Sequence, residues 1–187
     1  MKRTSLAKVV LMLLLMTGAV ATYAQSQGPV TPVKVGSVIL NLGIGTGADY
    51  QGDYYNSSFG FKAALEFGLW QVGPGVLTLG GEIGASSSNG GYYSDYKSHT
   101  LVIAGRSAWH YGWDVRGLDT YGGISAGLGF RHREYNNGNT PYSNNDVIAA
   151  PGVFVGASYF ILPKFGFNAE AGYDITDFQL GVVFKLN

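Results

Sequence analysis

Ionisable side chains are sparse in this chain, so the few that interrupt its apolar stretches are where any chemistry would have to reside. Three bases, Lys62, Arg106 and Lys185, and three acids, Glu66, Glu82 and Glu170, stand among hydrophobic residues, and three histidines, His99, His110 and His132, accompany them. A hydrolase of lipid esters would need Ser, His and an acid converging on one face. No His-x-Ser pair places both on one side of an extended strand, and the neighbours of His99, Ser98 and Thr100, point the opposite way. His110 falls on a strand near a short turn, where bonding to other polar residues is expected. His132 lies between Arg131 and Arg133 in a polar connection, a solvated position. Asp49, Asp53, Asp95 and Asp146 fall on connections without the spacing of a calcium loop. The Gly-x-Gly of "GTGADYQG" (45–52) has no helix after it to receive a phosphate. The expectation is no catalytic residue, no metal and no cofactor.

The elements that position these residues show in the alternation. "FGFKAALEFGLW" (59–70) has a helical i,i+4 pair in Lys62 and Glu66. As a strand it sets Phe59, Phe61, Ala63, Leu65, Phe67 and Leu69 against Gly60, Lys62, Ala64, Glu66, Gly68 and Trp70. The strand reading prevails, because Gly68 would interrupt a helix and the rest of the chain repeats the same period of two. Alternating segments recur at 37–45, 77–86, 100–111, 120–130, 152–160, 165–174 and 178–187, giving eight strands of about ten residues. The connections 46–58, 87–98 and 131–146 are long and rich in Tyr, Asn, Ser and Gly, whereas 71–75, 112–117 and 162–164 are short. Only the last connection on the long side, around Ile175 to Asp177, is short. The pattern predicts an all-β, eight-stranded antiparallel up-and-down barrel in a single domain.

Composition decides which face looks outward. Charged residues make up 13% of the chain, about half the share usual in soluble domains, and 29 of 187 residues are Gly. With the apolar face inside, the exterior would be poor in charge and full of strand-weakening glycine. With the apolar face outside, Phe, Leu, Ile and Val meet lipid, and small residues fit a narrow lumen. Strands of about ten residues suit a tilted crossing of a bilayer. Trp109, Tyr111, Trp113, Tyr159 and Phe165 cluster towards the short-turn end, as an interfacial aromatic girdle would. A transmembrane barrel follows, with Lys62, Arg106, Lys185, Glu66, Glu82 and Glu170 turned inward as a sign-balanced polar network. A lumen of this size is filled by side chains and forms no open channel.

The ends give the destination. Lys2, Arg3 and Lys8 precede the apolar run "VVLMLLLMTGAVA" (9–21), and "TYA" (22–24) ends in small residues suited to signal-peptide cleavage. Residues 1–24 are expected to be a signal peptide, 25–34 an N-terminal periplasmic segment and 35–187 the barrel domain. Without the signal, nine basic residues face 12 acidic ones, a net charge of −3 that offers no field for nucleic acid. The absence of Cys excludes disulfides and lipoprotein anchoring.

With the export signal, the eight strands, the long–short alternation, "NAEAGYD" (168–174) and the terminal "LGVVFKL" (180–186), the chain resembles the small outer-membrane β-barrel family, which includes OmpX-like proteins and the OmpA transmembrane domain. The resemblance covers essentially all of 35–187 and is one of pattern. It implies the outer membrane of a Gram-negative cell, long loops outside, short turns and both termini in the periplasm, and insertion by the barrel-assembly machinery. That machinery reads an aromatic C-terminal residue in this family; here Phe184 is followed by Lys185, Leu186 and Asn187. The function expected is non-enzymatic, either envelope-structural or surface interaction. The alternatives are a small porin-like channel and a lipid-modifying enzyme. Arg131, Arg133 and Lys97 are candidates for touching lipopolysaccharide phosphates. Tyr54, Tyr55, Tyr92, Tyr93, Tyr135 and Tyr142 are candidates for recognising an extracellular protein or glycan, since Tyr gives contact area at low entropy cost.

Overall fold

The computed structural model describes residues 32–47, 57–89, 95–136 and 141–187. The signal-peptide region and Tyr54, Tyr55, Tyr92 and Tyr93 therefore lie outside the described residues. Eight strands follow one another: β1 (Val38–Gly47), β2 (Ser57–Val72), β3 (Gly75–Asn89), β4 (Asp95–Gly112), β5 (Leu118–Asn136), β6 (Pro141–Leu162), β7 (Phe165–Tyr173) and β8 (Thr176–Lys185). Each pairs antiparallel with its neighbours in sequence, and β8 returns to β1 to close the barrel. The predicted fold is the observed one.

The faces fall as the alternation requires. Phe67 is 44% exposed on the exterior, while the adjacent Glu66 is fully buried in the lumen. Leu42, Ile44, Phe61, Ile83, Ile103, Ile124, Val155 and Leu180 join Phe67 in an apolar outer belt. So much large apolar surface in water would be costly, whereas in lipid it is solvated by like groups. Inside, glycine supplies the space. A Cβ at Gly156 would meet the Tyr121 ring at 2.4 Å, and one at Gly123 would meet the Phe154 ring at 2.6 Å.

Three features depart from the sequence reading. The strands are not uniformly about ten residues long: β1, β7 and β8 have 10, 9 and 10, but β4, β5 and β6 reach 18, 19 and 22. Much of 87–98 and 131–146 is therefore strand, and His132 is a β5 residue paired with His99. Above a bilayer both faces are wet, so the ladder continues while the apolar alternation that revealed it disappears. The barrel rim is consequently uneven, with a tall wall at β4–β6 and a low one at β7, β8 and β1. Second, Trp70 does not face inward. The register between β2 and β3 shifts between Gly68 and Trp70, and this bulge turns Trp70 outward with 53% exposure. Trp70 thereby joins the girdle of Trp109, Tyr111 and Trp113, in which Trp109 stacks on Tyr111 at 5.7 Å. Third, the chain enters the barrel end before residue 35: Pro32 and Val33 are buried, Val33 against Ile39, Val76, Phe160 and Val183.

At the turn end the segment before β1 is bonded to β2 and to Asn187. Gly36, at φ 88°, lets its N–H reach Gly68 O at 2.7 Å. The side-chain oxygen of Asn187 accepts from Val38 N–H at 2.8 Å, and its amide donates to Gly36 O. Phe67→Arg should cost about 2–4 kcal/mol of folding free energy in lipid vesicles, as a cation on the lipid face does near mid-membrane. Urea titration followed by the gel-mobility shift of the folded barrel measures it. A cost near zero would mean that this face does not meet hydrocarbon.

Candidate functional site: a charged cluster in the lumen

Lumen-facing positions of β2, β3, β4 and β7 converge on Arg106, whose side chain is fully buried. Its Nε lies 3.0 Å from Glu66 Oε1, Nη1 donates to Glu82 Oε2 at 2.9 Å, and Nη2 donates to Glu170 Oε2 at 3.1 Å. The guanidinium lies over the Phe154 ring at 3.9 Å, a cation–π contact strengthened by desolvation. Tyr121 donates its hydroxyl to the same Glu170 oxygen at 3.0 Å. Space for these long side chains comes from their register: Arg106 and Glu66 both pair with Gly80, and Glu170 pairs with Gly156.

Lys62 sits one layer nearer the loops. Its ammonium donates to Glu170 Oε1 and to Asp174 Oδ2, the latter at 2.6 Å, and stands 3.8 Å from Glu82. Lys62 and Glu66 do not pair with each other; four residues apart on one strand, they occupy different layers. On the turn side, His110 spans two acids, with Nδ1 at 2.8 Å from Asp119 and Nε2 at 3.3 Å from Glu66. Only the imidazolium donates from both ring nitrogens. Thr78 donates to Glu66 from the neighbouring strand.

Of the six predicted network residues, Lys62, Glu66, Glu82, Arg106 and Glu170 come together and Lys185 does not. Lys185 faces inward, but at the turn end, where its Nζ donates to Pro32 O at 3.0 Å. The cluster gains Asp174, Asp119 and His110 in its place, so the expected three-to-three balance gives way to an acid-rich set. Asp174 explains the anomalously short last connection. The turn at Asp174–Ile175 folds into the barrel, placing a carboxylate on Lys62 and on Ser125 at 3.1 Å and burying Ile175. Gly84 leaves the room, since a Cβ there would meet Ile175 Cγ2 at 2.9 Å.

The other candidates sit elsewhere. Arg131 and Arg133 share the lumen-facing parity of Ser125, so they point into the barrel mouth and not at lipid phosphates, whereas Lys97 is on the exterior. Tyr135 pairs in register with Tyr142 at the top of the tall wall, and Tyr142 is 65% exposed. Sequence reasoning missed one juxtaposition because it is cross-strand: Ser87, His99 and His132 occupy directly paired exterior positions on β3, β4 and β5. They border an open groove of about 370 Å³ lined by Phe59, Phe61, Leu101 and Phe130. His132 is held by Asn145 at 2.7 Å and Glu134 at 3.3 Å, and no hydrogen bond joins Ser87 to His99.

The closed ring, the apolar belt and the charged interior define a small transmembrane β-barrel of the outer-membrane type. No family model and no curated protein matches the chain. Solved structures with a similar course include Ail, the attachment invasion locus protein of Yersinia pestis, at 12% identity over 80% of this chain and 93% of that one, with a TM-score of 0.47. Neisserial surface protein A is similar at 12% identity over 80% of this chain and 97% of that one, TM-score 0.48. The N-terminal barrel of Pseudomonas aeruginosa OprF is similar at 17% identity over 82% and 98%, TM-score 0.47.

Within the cluster, Lys62→Met should destabilise by about 3–5 kcal/mol, because it strands buried carboxylates. Combined with Asp174→Asn, it should show a coupling of about 0.5–3 kcal/mol, while its combination with Glu66→Gln, linked to Lys62 only through Arg106 and the acids it shares, should show a smaller one. Double-mutant cycles in vesicles distinguish the two. Equal coupling in both would mean that the lumen responds only to total charge.

Proposed function

We propose that the protein is a non-enzymatic, non-conducting outer-membrane barrel with an envelope-structural or surface-interaction role, its tall wall and loops facing outside the cell. The observation that carries this reading is the filled lumen. Arg106, Glu66 and Glu82 have no accessible side-chain surface, and Phe154 packs against the guanidinium, which supports a lumen filled by side chains. The apolar belt supports an outer-membrane site, with lipopolysaccharide as the surrounding lipid and the barrel-assembly machinery as the insertion partner. Surface interaction is supported by the tall wall, which lifts Tyr135 and Tyr142 away from the bilayer towards an extracellular protein or glycan partner.

A small channel is the second reading, favoured by the run of ionisable groups from Asp119 to Asp174 along the axis. Planar-bilayer recording of the purified barrel separates the two: the filled lumen predicts no large, stable conductance steps, and such steps would refute it. An epitope inserted at Asn137 should be accessible on intact cells, and one at Gly73 should not. Reversed labelling would invert the orientation.

A further inference from the structure

The lumen changes character twice between the charged cluster and the loop end. Val102, Ala104, Ala150 and Ile175 form an apolar layer over the cluster. Nearer the rim, Arg131 pairs in register with Thr100 on β4 and with Asp146 on β6. One lumen-facing position further out, Arg133 lies between Ser98 and Asn144. Ser98 and Thr100 are buried, and Arg131 is only 4% exposed.

Among the described residues, Arg131 is the buried cation with the most distant carboxylate partner. Its Nε has no hydrogen-bond partner, and its nearest carboxylate oxygen, Asp146 Oδ2, is 3.9 Å away. Arg133 reaches the same oxygen at 3.3 Å, and the other Asp146 oxygen accepts from Asn144 at 2.9 Å. Arg106 Nε also lacks a hydrogen bond, but its guanidinium meets three carboxylates at 3.0, 2.9 and 3.1 Å. A desolvated guanidinium without matched acceptors is costly, and its flat fork is shaped to take a tetrahedral oxyanion through two bonds at once.

We propose that the loop-end mouth of the barrel binds a phosphate or sulfate group, held by the Arg131 and Arg133 guanidiniums and the hydroxyls of Ser98 and Thr100. Every one of these residues lies on the lumen side of its strand, so the group arrives along the barrel axis and a lipid headgroup beside the barrel does not reach it. The apolar layer beneath makes the mouth a dead end, a site for holding and not for passage. Asp146 acts as an internal competitor that occupies the guanidiniums in the ligand's absence. The site deepens the surface-interaction reading and rests on it for the source of the ligand, an oxyanion carried on an extracellular polymer.

The test uses the full chain refolded in detergent micelles, with folding checked by gel-mobility shift and binding followed by titration calorimetry. The probes are inorganic phosphate, inorganic sulfate, sulfated dextran and unmodified dextran. Both ions and sulfated dextran should bind and compete with one another, and unmodified dextran should not. Arg131→Gln should weaken binding roughly tenfold or more, the loss of one charge-assisted contact pair. Asp146→Asn, which keeps both guanidiniums and removes the competitor, should tighten it. That opposite sign keeps the test decisive if Arg131→Gln fails to fold. No anion binding by the parent chain, unchanged binding by Arg131→Gln, or weakening by Asp146→Asn would each overturn the proposal. Tighter binding of sulfated dextran than of free sulfate supports the polymer source; equal binding per sulfate overturns that source. Binding should persist in vesicles containing lipopolysaccharide, and its loss there would overturn axial access. Conductance and epitope exposure are read independently, so failure here leaves the broader function standing.

Discussion

A bilayer core offers no hydrogen-bond partner to a peptide group, and the ring of eight strands follows from that constraint. Between β1 and β8 every strand finds a partner on each side, and the last returns to the first. Closing a ring of only eight strands fixes a narrow interior, so side chains there must be either very small or few and long. Glycine opposite Arg106, Glu66 and Glu170 is the outcome of that geometry.

The same narrowness gives the charged cluster its meaning. Buried ion pairs are weak sources of stability, because desolvation offsets most of their attraction. They are strong sources of register. Slipping β2 by one residue would carry Lys62 and Glu66 into hydrocarbon and leave Arg106 facing phenylalanine. The cluster ties β2, β3, β4 and β7 together across the lumen, and Asp174 draws the connection between β7 and β8 into the same knot. An apolar exterior alone would tolerate many registers; the interior accepts one.

The barrel, its strand order and its faces were legible because hydrophobic alternation survives wherever one face meets lipid and the other does not. The alternation ends where both faces are wet, which is why the upper halves of β4, β5 and β6 read as loops. It also breaks at a bulge, and the register shift between Gly68 and Trp70 turns Trp70 to the face opposite its parity. Within the lumen, parity reveals which residues point inward but not their depth. Lys185 and Lys62 have the same parity logic, yet one lies at the turn end against Pro32 and the other among acids. Asp174 was hidden for a different reason: a turn residue normally points at solvent, and only the inward fold of Asp174–Ile175 reverses that. Its signal was the one connection too short for its side of the barrel.

The seam between β1 and β8 gives the chain a problem of timing. Val38 and Asn187, bonded at 2.8 Å, are 149 residues apart, so the loop they close is nearly the whole described protein. Counted along the chain, this is the longest-range pairing in the ring, and its closure cost falls as the seven sequential pairings form and bring β1 and β8 together. Until the final strand arrives, β1 presents an unpaired edge that invites pairing with other chains. Closing the seam removes that edge, and the Asn187 side chain, bonded to both Val38 and Gly36, ties it shut at the turn end.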